Sequence, residues 1–111
     1  MGCALISESE IDSALAYLRD NASKDAQARA ERLYLEQYIK TILAQEMAKE
    51  QGKSSAFSEM VARSSSEFKS ALDGYRQAIF EDEKRRFLRA AAETKIEAWR
   101  TQSSNERASR V

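Results

Sequence analysis

The fold of this chain is decided by residues 65–103, which read SSEFKSALDGYRQAIFEDEKRRFLRAAAETKIEAWRTQS. The stretch has no proline and a single glycine, Gly74, and it is rich in alanine, glutamate, lysine and arginine, which all favour helix. Ser64 and Glu67 have the spacing of a capping box at its start. The sequence therefore predicts one long helix over about 65–103.

The apolar pattern changes halfway along this helix. Its first half carries a stripe at the 4-3-4 spacing typical of coiled-coil-like packing, formed by Phe68, Leu72, Tyr75 and Ile79. After the acidic residues 81–83 the apolar residues lie on nearly the opposite side of the helix. Two arrangements would explain this change: the helix breaks or kinks near 80–83, or its two halves pack against different partners.

The segment before this helix contains further helix signals. Ser7 and Glu10 form a capping box, and the spacing of apolar residues after it predicts a short first helix over about 8–21. Asn21 and Ser23 predict a break before a long helix over about 24–51, which ends ahead of Gly52.

A serine-rich stretch, 52–66, separates the two long helices. Phe57, Met60 and Val61 have i, i+3, i+4 spacing, which predicts a short linker helix over about 56–62. The predicted fold is therefore all-α. It is a single domain over residues 1–111, either an elongated helical hairpin or a three-helix bundle, with frayed ends at 1–6 and 104–111.

Composition argues against catalysis. The chain has no histidine, one cysteine and three isolated glycines, so it lacks the commonest general base, cysteine-rich metal sites and a glycine-rich phosphate loop. No segment is apolar for long enough to cross a membrane. We expect a non-enzymatic cytoplasmic protein without cofactor, metal or small-molecule substrate.

The charges are divided unevenly along the chain. Residues 1–83 have 10 basic and 15 acidic side chains, a net charge of −5, and residues 84–111 have 8 basic and 3 acidic side chains, a net charge of +5. Basic side chains near an aromatic ring are typical of surfaces that bind phosphate and stack on bases. The predicted contacts to nucleic acid or a partner are Arg85, Arg86, Arg89, Lys95, Arg100 and Arg107.

A second interpretation of the basic end stays open. Glu93 and Glu97 lie among the arginines on a helical wheel, which is also typical of a solvated face with i, i+3 and i, i+4 ion pairs. The apolar side chains beside them predict an interface with a protein partner or a second copy, formed by Phe87, Leu88, Ile96 and Trp99.

Residues 29–40, RAERLYLEQYIK, and residues 83–102, EKRRFLRAAAETKIEAWRTQ, resemble small helical proteins encoded by tailed bacteriophages and prophages. The resemblance covers about residues 8–108. It implies a bacterial host cell and a gene among replication or recombination genes, near a single-strand annealing protein or an exonuclease, and it assigns no role to any residue.

Two functional hypotheses follow from the sequence. The first is a phage accessory protein of DNA metabolism that binds DNA or a DNA-processing protein through its basic C-terminal helix. The second is a protein-interaction module, or an inhibitor of a host protein, that self-associates through its apolar surface.

Overall fold

The computed structural model describes residues 5–110 and confirms the all-α fold. Two long helices and a short one follow each other along the chain: α1 (Glu8–Ala48), α2 (Ser55–Arg63) and α3 (Ser66–Ser109). None of these helices is long and apolar enough to cross a membrane. Residues 1–4 and 111, at the ends that were predicted to fray, lie outside the described residues.

The predicted capping box starts α1. The backbone N–H of Ser7 donates to Oε2 of Glu10 at 2.8 Å, and the backbone N–H of Glu10 donates to Oγ of Ser7 at 3.2 Å. Each side chain therefore satisfies a backbone donor that has no partner within the helix. Ile11 follows and is buried.

The predicted break between a first helix over 8–21 and a second helix over 24–51 is wrong, because α1 is continuous from Glu8 to Ala48. The side chain of Asn21 donates from Nδ2 to the carbonyl oxygen of Tyr17 at 3.0 Å, so its polar group is satisfied inside the helix. An asparagine in a helix interior costs less than about 1 kcal/mol, and tertiary packing readily offsets that cost.

The boundaries around the linker differ from prediction by a few residues. Helix α1 ends at Ala48, three residues before Gln51, and Gly52 lies in the following turn with φ +76°, a conformation that favours glycine. Oγ of Ser65 accepts from the backbone N–H of Phe68 at 3.2 Å. The N-cap of α3 is therefore Ser65 and not the predicted Ser64, and the helix runs beyond the predicted end at 103 to Ser109.

Helix α3 is continuous through residues 80–83, and its two halves pack against different segments of the chain. The described residues form two compact units. We call residues 26–83 the central unit, and residues 5–25 with 84–110 the terminal unit. That the chain folds as a single domain stays a prediction.

Burial along α1 recurs at alternating steps of three and four residues. The buried or half-buried positions at this spacing, which we call the α1 seam, are Ile11, Ala14, Leu18, Asn21, Asp25, Ala28, Arg32, Leu35, Ile39, Ile42 and Glu46. The spacing is typical of helices that pack side by side with a small crossing angle. Four of these positions are polar or charged, which is uncommon in such a seam.

Helix α3 has the same burial pattern. Its seam consists of Phe68, Ala71, Tyr75, Ala78, Asp82, Arg85, Arg89, Ala92, Ile96, Trp99 and Ser103. The predicted stripe was wrong at Leu72, which is 47% exposed, because the seam position there is Ala71. Further along, the seam position is the buried Ala78 in place of Ile79. Because the seam is charged at 82, 85 and 89, its course could not be followed from apolar residues alone.

Candidate nucleic-acid or partner interface

The last turns of α3 form an open hollow of about 410 Å³ on the terminal unit. Its lining residues recur on one face of the helix and are Trp99, Arg100, Ser103, Glu106, Arg107 and Arg110. Trp99 is a half-buried residue of the α3 seam, whereas the three arginines are exposed. The hollow therefore combines an aromatic surface with three guanidinium groups.

The ion pairs in this region leave the guanidinium groups accessible. Nη1 of Arg100 lies 3.5 Å from Oε2 of Glu97, and both side chains are about 70% exposed. Exposed pairs of this kind contribute between about 0 and 1 kcal/mol, so a phosphate can replace the carboxylate at little cost. Glu106 is the one acidic residue of the lining and reduces its positive charge.

Arg85 and Arg89 have a structural partner within the terminal unit. Nη1 of Arg85 lies 3.4 Å from Oδ1 of Asp25, and Nη1 of Arg89 lies 3.4 Å from Oδ2 of the same carboxylate. Asp25 is only 8% exposed. A buried carboxylate requires such partners, because desolvating an unpaired charge is costly. That these two arginines also contact DNA or another protein stays a prediction.

The other predicted residues of the terminal unit differ in their exposure to solvent. Phe87 is 70% exposed and Leu88 is 45% exposed, whereas Ile96 is half-buried at the α3 seam. Lys95 and Leu88 line a second open groove of about 370 Å³ against the first turns of α1. Arg86 is exposed. The predicted apolar interface is thus divided between a solvent-facing part and a packed part.

Folding redistributes the charges that the sequence separates. The terminal unit brings the acidic residues before Ala26 together with the basic end, so it contains 10 basic and 8 acidic side chains, a net charge of +2. The central unit contains 8 basic and 10 acidic side chains, a net charge of −2. The excess of positive charge is therefore smaller than the net charge of +5 in the sequence.

The central unit contains an ion-pair cluster between its two long helices. Nη1 of Arg32 donates to Oε1 of Glu83 at 2.9 Å and to Oδ2 of Asp82 at 3.2 Å. The hydrogen bond to Glu83, with a smaller contribution from Asp82, raises the pKa of Arg32. Arg32 and Asp82 both occupy seam positions, so the cluster aligns the helices in one register.

A second cluster lies at the other end of the central unit, where the buried Glu46 forms an ion pair with Lys49. The hydrogen bond to Glu46 raises the pKa of Lys49. The pKa of Glu67 is lowered, first by a hydrogen bond from its own backbone N–H and then by one from the Ser66 hydroxyl. Ser66 and Glu67 lie in the first turn of α3, where the helix dipole also favours the carboxylate.

Arg110 belongs to the basic end predicted from the sequence but was left out of the predicted contacts, and Asp25 was missed. Arg110 continues the helical spacing of Arg100 and Arg107, which is a signal that could have found it. Asp25 lies on the 3-4 spacing of α1 between apolar positions. This spacing became visible only once the structure showed that α1 is continuous. Among residues 5–110, no group of three or more acidic or cysteine side chains is placed to hold a metal ion.

Comparison of the chain with models of protein families, with curated proteins and with solved structures gives no match.

Proposed function

We propose that this chain is a non-enzymatic phage accessory protein that acts in DNA metabolism in the cytoplasm of a bacterial host, and that it binds DNA through the basic end of α3. One observation carries the DNA-binding part of the proposal: Trp99, Arg100, Arg107 and Arg110 line a single open hollow.

The chemistry of the hollow suits a single strand better than a duplex. Guanidinium groups bind backbone phosphates, and an indole ring stacks on an unpaired base of any identity. A base in a duplex offers no free face for such stacking. Binding of this type depends strongly on salt, because each neutralised phosphate releases counterions.

Fluorescence anisotropy with a labelled single-stranded oligonucleotide, over a series of salt concentrations, tests the proposal. We expect the combined substitution of Arg100, Arg107 and Arg110 by alanine to weaken binding at least tenfold and to reduce the salt dependence. The matched control replaces Arg19, Arg29 and Arg76, which are exposed and lie outside the hollow, and it changes the net charge by the same amount. Equal losses in both variants, or no binding at low salt, would refute the proposal.

The second candidate function, a protein-interaction module or host-protein inhibitor, is favoured by Phe87 and Leu88, which are 70% and 45% exposed. Exposed large apolar side chains mark an interaction site where they form a contiguous patch. In this case we expect Phe87→Asp to abolish assembly or partner capture while the arginine substitutions have little effect. Light scattering on both variants separates the two candidates.

A further inference from the structure

The central unit has an apolar groove of about 610 Å³ between α1 and α3. One wall consists of Leu35, Tyr38 and Ile42 from α1, and the other includes Ser70, Ala71 and Gly74 from α3. The groove thus has large apolar side chains on one side and small ones on the other. Glu67, at one end, is its single charged lining residue.

Gly74 is the one glycine within the described helices. It lies inside α3, where glycine costs about 1 kcal/mol relative to alanine. Its φ is not in the left-handed region, and a Cβ built at this position meets no atom within 4 Å. Neither the backbone nor its neighbours within the chain require a glycine. A helix that packs closely against α3 from outside would favour one, because a small residue lets two helix backbones approach each other.

The surface area of the chain indicates how much a partner could cover. The accessible surface is 8404 Å², whereas a folded monomer of 12.6 kDa exposes about 6,200 Å². The excess of about 2,200 Å² per copy is larger than the area of about 800 Å² per partner in a standard interface, and two copies together have an excess of about 4,400 Å², within the range of about 2,000–5,000 Å² total for obligate homodimers. This excess belongs to the whole chain and shows that enough surface is exposed for a dimer.

The described residues have a correspondingly small core. Five hydrophobic side chains are buried, three of them alanines, and no large side chain is fully buried. By contrast, 11 large hydrophobic side chains are exposed, seven of them in the central unit. Two of the seven are Tyr38 in the groove and Tyr34, whose ring stacks on that of Tyr38 with centroids 6.0 Å apart. The groove together with Tyr34 and Tyr38 is therefore an apolar face of the central unit that a second copy could bury, and Leu72, which does not line the groove, lies outside this face.

We propose that the groove of the central unit docks a second copy of this chain, with the same face of each copy in contact. A self-complementary contact of this type gives a closed dimer in which α1 and α3 of both copies form a four-helix layer. The scarcity of charge in the groove suits the centre of an interface, where charged residues are depleted. Gly74 would let the two backbones approach each other closely.

This inference does not depend on DNA binding, and its test contains no DNA. Sedimentation equilibrium and multi-angle light scattering on the whole chain should give the mass of a dimer. Gly74→Arg should raise the dimer dissociation constant at least tenfold, because the side chain fills the groove and places like charges opposite each other. Arginine has a higher helix propensity than glycine, so the monomer should remain helical, as circular dichroism would show.

The matched control is Leu72→Arg, since Leu72 lies on the same helix, is 47% exposed and does not line the groove. It should leave the dissociation constant within about twofold. A second groove variant, Tyr38→Glu, should weaken the dimer as Gly74→Arg does. A monomeric wild-type chain, a trimer, equal effects of Leu72→Arg and Gly74→Arg, or assembly that only Phe87→Asp disrupts would each overturn the proposal.

Discussion

Asp25 shows how a single residue can align two helices. Its carboxylate is buried and lies between the guanidinium groups of Arg85 and Arg89, one on each oxygen. A leucine at this seam position would pack against many neighbours, whereas the carboxylate is satisfied only in the register that brings both arginines to it. Polar seam residues commonly select one register at some cost in stability.

Replacing Asp25 with alanine is therefore expected to lower the free energy of unfolding by about 1–3 kcal/mol, because the guanidinium groups of Arg85 and Arg89 lose a carboxylate that they share. Urea unfolding followed by circular dichroism measures the change. The control is Asp20→Ala, since Asp20 is exposed and pairs with the exposed Arg19. It should change the stability by less than about 0.5 kcal/mol. Equal changes in both variants would contradict the role assigned to Asp25.

The charge of a second single residue, Glu67, makes the stability of the fold depend on pH. Its pKa is lowered in the folded chain, so the ionised form stabilises the fold above the ordinary glutamate pKa of about 4.3. This contribution is lost as the pH falls through the lowered pKa. We expect Glu67→Gln to be less stable than the wild type at neutral pH and to lose less stability on acidification. Urea unfolding at several pH values measures the free energy of unfolding of both proteins. The expectation is wrong if the two free energies fall in parallel as the pH is lowered.

At the scale of the helix, two neighbouring serines before α3 have different hydrogen-bonding roles. Oγ of Ser65 accepts from the backbone N–H of Phe68, whereas Oγ of Ser64 donates to the carbonyl oxygen of Met60. We expect Ser65→Ala to cost about 1 kcal/mol, as the loss of an N-cap does, and Ser64→Ala to cost less than half as much. Thermal unfolding of the two variants measures both stability losses. A larger loss for Ser64→Ala would show that Ser64 is the N-cap, as the sequence predicted.

The sequence predicted correctly the features that depend on interactions between residues close together in the chain. The Ser7–Glu10 capping box and the serine-rich linker with its short helix depend on residues a few positions apart, and both are present. The break at Asn21 is absent because packing along α1 outweighs a weak local preference. The seam of α3 could not be traced because Asp82, Arg85 and Arg89 occupy it, and their partners on α1 are about 50 or more residues away in sequence.

The candidate site was only partly predictable for the same reason. The helical spacing of Arg100 and Arg107 after Trp99 is visible in the sequence, and the structure places all three around one hollow. The partner of Arg85 and Arg89 is not visible, since Asp25 comes from the other long helix. Only the fold shows which basic side chains have a buried carboxylate as a partner.

At the scale of the whole molecule, α1 and α3 each contribute residues to both units. Because the same two helices run through both units, we expect one cooperative transition. Trp99 is the single tryptophan and lies in the terminal unit, so its fluorescence reports on that unit, while circular dichroism reports on all helices. The two signals should change at the same urea concentration. Separate midpoints would show that the units unfold independently.

The amide side chain of Gln102 pairs with both backbone groups of Ile6: it accepts from the N–H and donates to the carbonyl oxygen, each at 3.0 Å. An N–H ahead of a helix normally exchanges its hydrogen with solvent quickly, whereas this one is held across the terminal unit and should exchange slowly. Gln102 precedes Ser103 of the hollow by one residue. The rate of deuterium uptake at the Ile6 amide therefore measures how tightly the last turns of α3 are held, and it can be compared with and without an oligonucleotide.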